Sequence, residues 1–316
     1  MNKFKKIGLT ALAASLVTTS AFAGEMSVAG SASMGVKNTT GTADPSSGKS
    51  WTMGNQLTFS GGGELDNGLN VSLSFVLDQA DDSTTGLANS PFDGHSVTIS
   101  SDAMGTLKFS GEGGSSAQGA MDTTAAGDIW NNGLGLTGGP TAAASGNNSL
   151  YYTLPAMVDG VAITASMSPS RAAQETHMSF GLVYTGVEGL TAKFGQGDSG
   201  APGAVAESTT MMASYAIGSF TVSASNTDVD NAGSTADVDV TSYQLAYTVS
   251  DDLSVTYGTE TFDLTGNSVD EEVSGIGVSY TTGGMTISGS MINAEGGANS
   301  ATADTDKWSL TAAFAF

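Results

Sequence analysis

The 316-residue chain has no cysteine, six prolines, two histidines and nine lysines or arginines. Without cysteine there is no disulfide frame, no thiolate metal site and no thiol nucleophile. Two histidines, His95 and His177, leave few players for general acid–base catalysis. Nine cations stand against 31 acidic residues, which excludes a nucleic-acid partner, because phosphate binding needs a basic stripe. After residue 23 no apolar run approaches the ~20 residues of a membrane-spanning helix.

What is present begins with "MNKFKKIGLTALAASLVTTSAFAGE". Lys3, Lys5 and Lys6 make a basic start, Ile7 to Val17 an apolar core, and Ala21-Phe22-Ala23 a small-residue cleavage site. This pattern predicts a secretory signal peptide over 1–23, removed after Ala23. The mature chain, 24–316, would then carry six cations against the same 31 acids, a formal charge of −25. Its 43 glycines and abundant Ser and Thr fit disorder, a secreted β-protein or a membrane barrel, so periodicity must decide.

Apolar residues alternate almost throughout. "MSVAGSASMGVK" sets Met26, Val28, Ala32, Met34 and Val36 on one face; "VSLSFVLD" does so with Val71, Leu73, Phe75 and Leu77; "YQLAYTV" with Tyr243, Leu245, Tyr247 and Val249. A period of two means strands with one apolar face. Sixteen are predicted, over 26–37, 50–61, 69–78, 93–101, 105–112, 148–155, 160–168 and 176–185. The remainder are 190–196, 207–217, 219–226, 238–249, 253–262, 272–281, 285–293 and 306–316. Short connections such as "ELDNG" and "GVEG" suit tight turns. They alternate with long acidic ones, the longest being 113–147. This sidedness belongs to outer-membrane barrels and puts both termini on the periplasmic side. A soluble sandwich also alternates, but its strands are shorter and its second face is charged rather than small and hydroxylic. The fold class expected is all-β: a 16-strand transmembrane antiparallel barrel over 24–316.

The chain resembles the general porins of Gram-negative outer membranes, the alphaproteobacterial type in particular. The carriers are "VAGSASMGVK", "LTFSGGGELDNGLNVSLSF", "GTLKFSGEGG" leading into "SSAQGAMDTTAAGDIW", then "LYYTL" and the terminal "FAF". The resemblance implies a sixteen-stranded barrel, usually trimeric, whose loop after strand five folds into the lumen and narrows the channel; here that loop is 113–147. Such porins set loop acids against a wall ladder of arginines and lysines, and this chain departs from them in having few cations.

Charges at a narrowing tune which solutes pass. Glu112, Asp122 and Asp128 are the candidate constriction acids, and Lys37, Lys108, Lys193 and Arg171 the candidate lumen-facing wall cations. The acidic balance predicts a mild cation preference. The segment "DVDNAGSTADVD", 228–239, matches part of a calcium loop at Asp228, Asp230, Gly233 and Asp239, so Ca2+ would be held weakly, or loosely across acidic outer loops. No cofactor is required. "GDSGAP", 197–202, mimics a serine-protease motif but falls where a fifth outer loop is expected, and no enzyme is expected.

The C-terminal "KWSLTAAFAF" places Trp308 at the outer interface and Phe314 and Phe316 in a periplasmic aromatic girdle. Its final aromatic resembles the signature read by the outer-membrane assembly machinery. The expected surroundings are outer-membrane lipid and lipopolysaccharide, with small hydrophilic solutes and ions passing through a homotrimeric diffusion channel. The alternative is a secreted or surface structural or adhesive β-protein without a pore.

Overall fold

The structure, a computed structural model, describes residues 26–41, 48–78, 92–137, 139–140, 143–169, 175–201, 204–232 and 236–316. The expected signal peptide, Arg171 and Gly233 lie outside them. Sixteen strands follow in order. The first eight are β1 (Ser27–Gly41), β2 (Gly48–Glu64), β3 (Asn70–Asp78), β4 (Phe92–Ser101), β5 (Gly105–Glu112), β6 (Ser149–Thr153), β7 (Val161–Ser168) and β8 (His177–Tyr184). Then come β9 (Leu190–Ala201), β10 (Ala204–Ile217), β11 (Phe220–Asn231), β12 (Val238–Ser250), β13 (Leu253–Leu264), β14 (Glu271–Thr282), β15 (Met285–Glu295) and β16 (Thr305–Ala315). Each pairs antiparallel with its sequence neighbours, and β1 pairs with β16 from Ser31↔Ala315 to Gly41↔Thr305, closing the barrel. Closure removes every sheet edge.

Short turns join the strands at the end where β1 begins. Gly68 and Gly189 there have φ of +80° and +78°, a conformation that a side chain would resist. Gly68 N–H donates to the carbonyl of Leu65 (2.9 Å) and Leu190 N–H to that of Val187 (3.0 Å), tightening these reversals.

Along β11–β15 the polarity of the two faces inverts partway. On β12, outward Val249, Tyr247, Leu245 and Tyr243 give way to Thr241 and Asp239, while inward Gln244 and Ser242 give way to Val240 and Val238. β13, β14 and β15 do the same. On β11, outward Phe220, Val222 and Ala224 are followed by Asn226, Asp228 and Asp230, and inward Ser223, Ser225 and Thr227 by Val229. Lipid-facing strands must be apolar outside. The outward change to carboxylates therefore marks where the barrel leaves the hydrocarbon.

Above that level the apolar residues point into the lumen and form a core with the segment between β5 and β6. Val229, Val240, Phe262 and Val273 are each at most 1% exposed and pack with Leu134, with Ile129, Trp130 and Leu136 against them. Each such side chain contributes about 1.5–3 kcal/mol on leaving water.

The inversion also explains where strand ends differ from expectation. β9 runs to Ala201 and β11 to Asn231, because ladder hydrogen bonds continue after the outward apolar alternation stops. "GDSGAP" is thus largely strand through Ala201, not a loop. Asp228 and Asp230 lie on β11 and Asp239 on β12, with Asp228 directly opposite Asp239. Of the expected calcium-loop residues these three are therefore on paired strands, and Gly233 lies outside the described residues.

Candidate functional site: the infolded segment and the facing wall

A chain lying inside a barrel has no strand beside it, so its buried N–H groups need other acceptors. The segment 113–147 finds them on the wall. Its base is closed by reciprocal bonds between Gly114 and Gly146 (3.2 and 3.1 Å). Ala117 N–H donates to the hydroxyls of Ser166 on β7 and Ser179 on β8, both at 2.9 Å. The Gln118 side chain donates to Thr210 on β10 (2.8 Å) and accepts from Ala143 N–H (2.7 Å), tying the outgoing and returning arms together. Ala125 N–H donates to Ser225 (2.7 Å) and Ala126 N–H to Ser242 (2.9 Å), while Thr227 donates to the Thr123 carbonyl (2.7 Å).

Further round, two carboxylates with no exposure take over. Glu260 on β13 accepts from Ile129 N–H (3.1 Å) and Trp130 N–H (2.7 Å), one oxygen each. Glu271 on β14 accepts from Thr137 N–H at 2.8 and 2.9 Å. Lys307 on β16 donates to the backbone carbonyl of Asn132 (2.6 Å) and to its side-chain oxygen (3.1 Å). Bonds to ionised groups contribute more than neutral ones, about 1.5–3 kcal/mol each.

The seat also requires missing side chains. A Cβ on Gly195 would stand 2.8 Å from Met121 Cγ and 2.9 Å from Gln118 Cα; one on Gly258 would stand 2.7 Å from Ala126 Cβ. These glycines let the short 3₁₀ turn Gly119–Met121 and the residues after it lie flat on the wall.

The segment therefore covers the inner wall from β7 round to β16, touches β6 through the Ser149 hydroxyl, which donates to the Gly146 carbonyl (2.9 Å), and the described bonds leave β1–β5 bare. A channel remains between the covered and the bare wall. The bare side presents Ser31, Ser33 and Lys37 from β1 and Thr106 and Lys108 from β5, by the alternation that sends Met34, Val36, Leu107 and Phe109 outward.

The expected site residues sort unequally. Asp122 and Asp128 are exposed on the segment, with φ of 60° and 54°. Asp122 pairs with Lys193 of β9. Asp128 Oδ1 accepts from the hydroxyls of Thr123 (3.1 Å) and Thr124 (3.0 Å). Lys37 and Lys108 are on the lumen parity of β1 and β5, and neither has an ion pair among the described residues. Glu112 remains on β5, where a register shift sets it opposite His95, 3.9 Å from Nδ1; it is a strand-end residue and not part of the infolded segment. Asp228, Asp230 and Asp239 point outward, and Asp239 accepts from Asn226 Nδ2 (3.1 and 3.0 Å). No metal-holding group of three or more acidic, His or Cys residues occurs among the described residues. Trp308 and Phe314 are on the outward parity of β16; Phe316 is 74% exposed and exchanges two backbone bonds with Gly30 (2.6 and 2.9 Å).

Sequence reasoning missed Gln118, Glu260, Glu271 and Lys307. Glu260 and Lys307 had a readable signal: a charge on the lumen parity, opposite Tyr257 and Trp308 respectively.

The sequence profile described as Gram-negative porin matches residues 8–271. No curated protein sequence matches the chain. Among solved structures, an anion-selective porin from Comamonas acidovorans superposes with TM-score 0.70 at 15% identity, covering 92% of this chain and 99% of that one. A multiply substituted porin of Rh. blastica gives 0.67 at 15%, covering 92% and 100%. The in-vitro folded OmpT of Vibrio cholerae, in its trimer form, gives 0.69 at 14%, covering 93% and 100%.

Proposed function

The chain belongs to the Gram-negative porin family, a non-enzymatic family of outer-membrane diffusion channels, and from that premise we propose that it passes small hydrophilic solutes and ions with a mild preference for cations. The observation that carries this reading is the disposition of lumen charge. Of the six cations after residue 23, Lys193 is taken up by Asp122 and Lys307 by Asn132, Lys49 shares the outward parity of Trp51 on β2 and Arg171 lies outside the described residues, so Lys37 and Lys108 are the described lumen cations that remain against a strongly acidic chain. An acidic surround raises local cation concentration. The barrel does not dictate the sign, since the Comamonas porin of similar fold is anion-selective. Reversal potentials in planar bilayers under a KCl gradient test the proposal: a cation-selective offset is expected, and an anion-selective one overturns it.

The same reading extends to finer points. The mature protein begins after Ala23, and Asp122 and Asp128 face Lys37 and Lys108 across the narrowest passage, with Arg171 near the rim. The quoted strand motifs support placement in the alphaproteobacterial branch. A homotrimer is supported by the outward faces of β1 and β2, where Trp51 is 85% and Met53 69% exposed beside the small Ala32. Lipid and lipopolysaccharide surround the rest, loose Ca2+ associates with the outer carboxylates, and Phe316 is the contact for the assembly machinery.

A further inference from the structure

The pairing of β8 with β9 ends at Ser179↔Gly197, although β8 starts at His177 and β9 continues to Ala201. Side chains take over from the ladder there. Asp198 Oδ1 accepts from Met178 N–H (3.0 Å), and Oδ2 lies 2.7 Å from Nδ1 of His177. The other ring nitrogen, Nε2, lies 3.0 Å from the carbonyl oxygen of Gly200. His177 is only 6% exposed, so water has little access to either contact.

The two acceptors fix the proton count. A carbonyl oxygen can only accept, and so can an ionised carboxylate. Both ring nitrogens must therefore carry hydrogen, since imidazole is a stronger base than a carboxylate. When one proton leaves, the remaining hydrogen stays on Nδ1, where the bond to a charged acceptor is the stronger one. Nε2 then sets a lone pair against the Gly200 carbonyl in a buried place. Imidazole is the side chain that ordinarily changes charge between about pH 5 and 8.

The same stretch of β9 grips the infolded segment. The Asp198 carbonyl accepts from Ala144 N–H (2.9 Å) on the returning arm. Gly197 lies so close to that arm that a Cβ on it would stand 2.6 Å from Ala143 Cβ. On the outer side, a cleft of about 410 Å³ lined by Met178, Val205 and Glu207 leaves the end of β9 room to move. Among the described residues, the other groups facing the pair are Ser168 of β7, opposite His177, and Glu207 of β10, opposite Asp198, with Asp230 of β11 beyond it. Exposed Glu175 lies two residues before His177.

We propose that His177 and Asp198 form a proton-dependent latch on the returning arm of the segment. With both protons on the ring, the end of β9 is drawn onto β8 and the arm is held to the wall. With one proton lost, Gly200 is released, β9 shifts towards the cleft and Ala144 follows, so the arm fluctuates in the passage. His177 is a positioning residue that acts through β9. The latch rests on the segment bordering the passage and not on the sign of ion preference.

The test is single-channel recording in symmetric KCl from about pH 5 to about pH 9, paired with the imidazole 15N signals of the mature protein in detergent micelles. Open-channel noise in wild type is expected to rise about fivefold across this range, the population change that goes with one lost hydrogen bond, in step with loss of a proton from His177. His95→Gln removes the other histidine; it should keep the response and assign the remaining ring signals to His177. His177→Gln should be noisy at every pH. Asp198→Asn, which removes the counter-charge, should move the rise to lower pH, with the barrel still heat-modifiable on gels. Wild-type noise that does not change with pH, a response that survives His177→Gln, an unshifted rise in Asp198→Asn, or a His177 ring already neutral at the acid end overturns the proposal.

Discussion

Replacing Glu260 with alanine removes the acceptor for two buried N–H groups, those of Ile129 and Trp130. An unsatisfied buried donor costs about 1–3 kcal/mol, so the docked position loses about 2–6 kcal/mol. Water in the lumen can reach part of the vacated space, which favours the lower end. At about 2 kcal/mol, the undocked population of residues 128–132 rises by about 30-fold, since 1.4 kcal/mol is tenfold. Neighbouring anchors at Glu271 and Lys307 remain, so the segment moves off the wall without leaving it. The passage is the open volume beside the segment, and its excursions are therefore partial blockades. Single-channel recording in planar bilayers should show downward flicker in Glu260→Ala. Glu260→Gln, which keeps one acceptor oxygen, should be intermediate. A Glu260→Ala channel that is heat-modifiable on gels, yet matches wild type in mean current and noise, would refute the anchoring argument.

Two further outcomes follow from other contacts. Lys193→Ala frees the exposed Asp122 carboxylate; a unit charge ~6 Å from a passing ion in water-like dielectric is ~0.7 kcal/mol, favourable for K+ and unfavourable for Cl−, so the K+/Cl− permeability ratio should rise by up to about tenfold by reversal potential, and no rise would mean that Asp122 does not face the permeant path. Gly30→Val drives a side chain into the Phe316 ring and breaks the two backbone bonds between those residues, worth about 1–3 kcal/mol together. The temperature of the gel shift should fall, as it should on deleting Phe316, and unchanged values for both would rule out the pair as a stabilising contact.

The strands were legible because a period of two survives in every one of them. The polarity of the two faces was less so. Reading outward apolarity as the strand signal ended β11 near Asn226, although pairing continues through Asp228 and Asp230 to Asn231. The acids there looked like a loop because carboxylates were weighed by composition and not by parity. Asp122 and Asp128 could be found, since each is a lone charge within an otherwise neutral stretch. The anchors of the segment could not be read in the same way. Ser166, Ser179, Ser225 and Ser242 are ordinary lumen hydroxyls in sequence, and their bonds to Ala117, Ala125 and Ala126 join residues 49 to 116 positions apart. No local pattern encodes such pairings. Glu260 and Lys307 are different, for a charge on the lumen parity of a strand is visible, and asking what it holds would have led to the segment.

The long separation between the segment and its anchors also fixes an order of events. Asn132 is synthesised 175 residues before Lys307, which grips it, and its other partners are distributed over strands that become neighbours only when the cylinder exists. The seat is a product of assembly and cannot template it. During biogenesis the wide tube must come first and the narrowing second, so a newly closed barrel passes through a stage at which it is a larger hole than the finished channel.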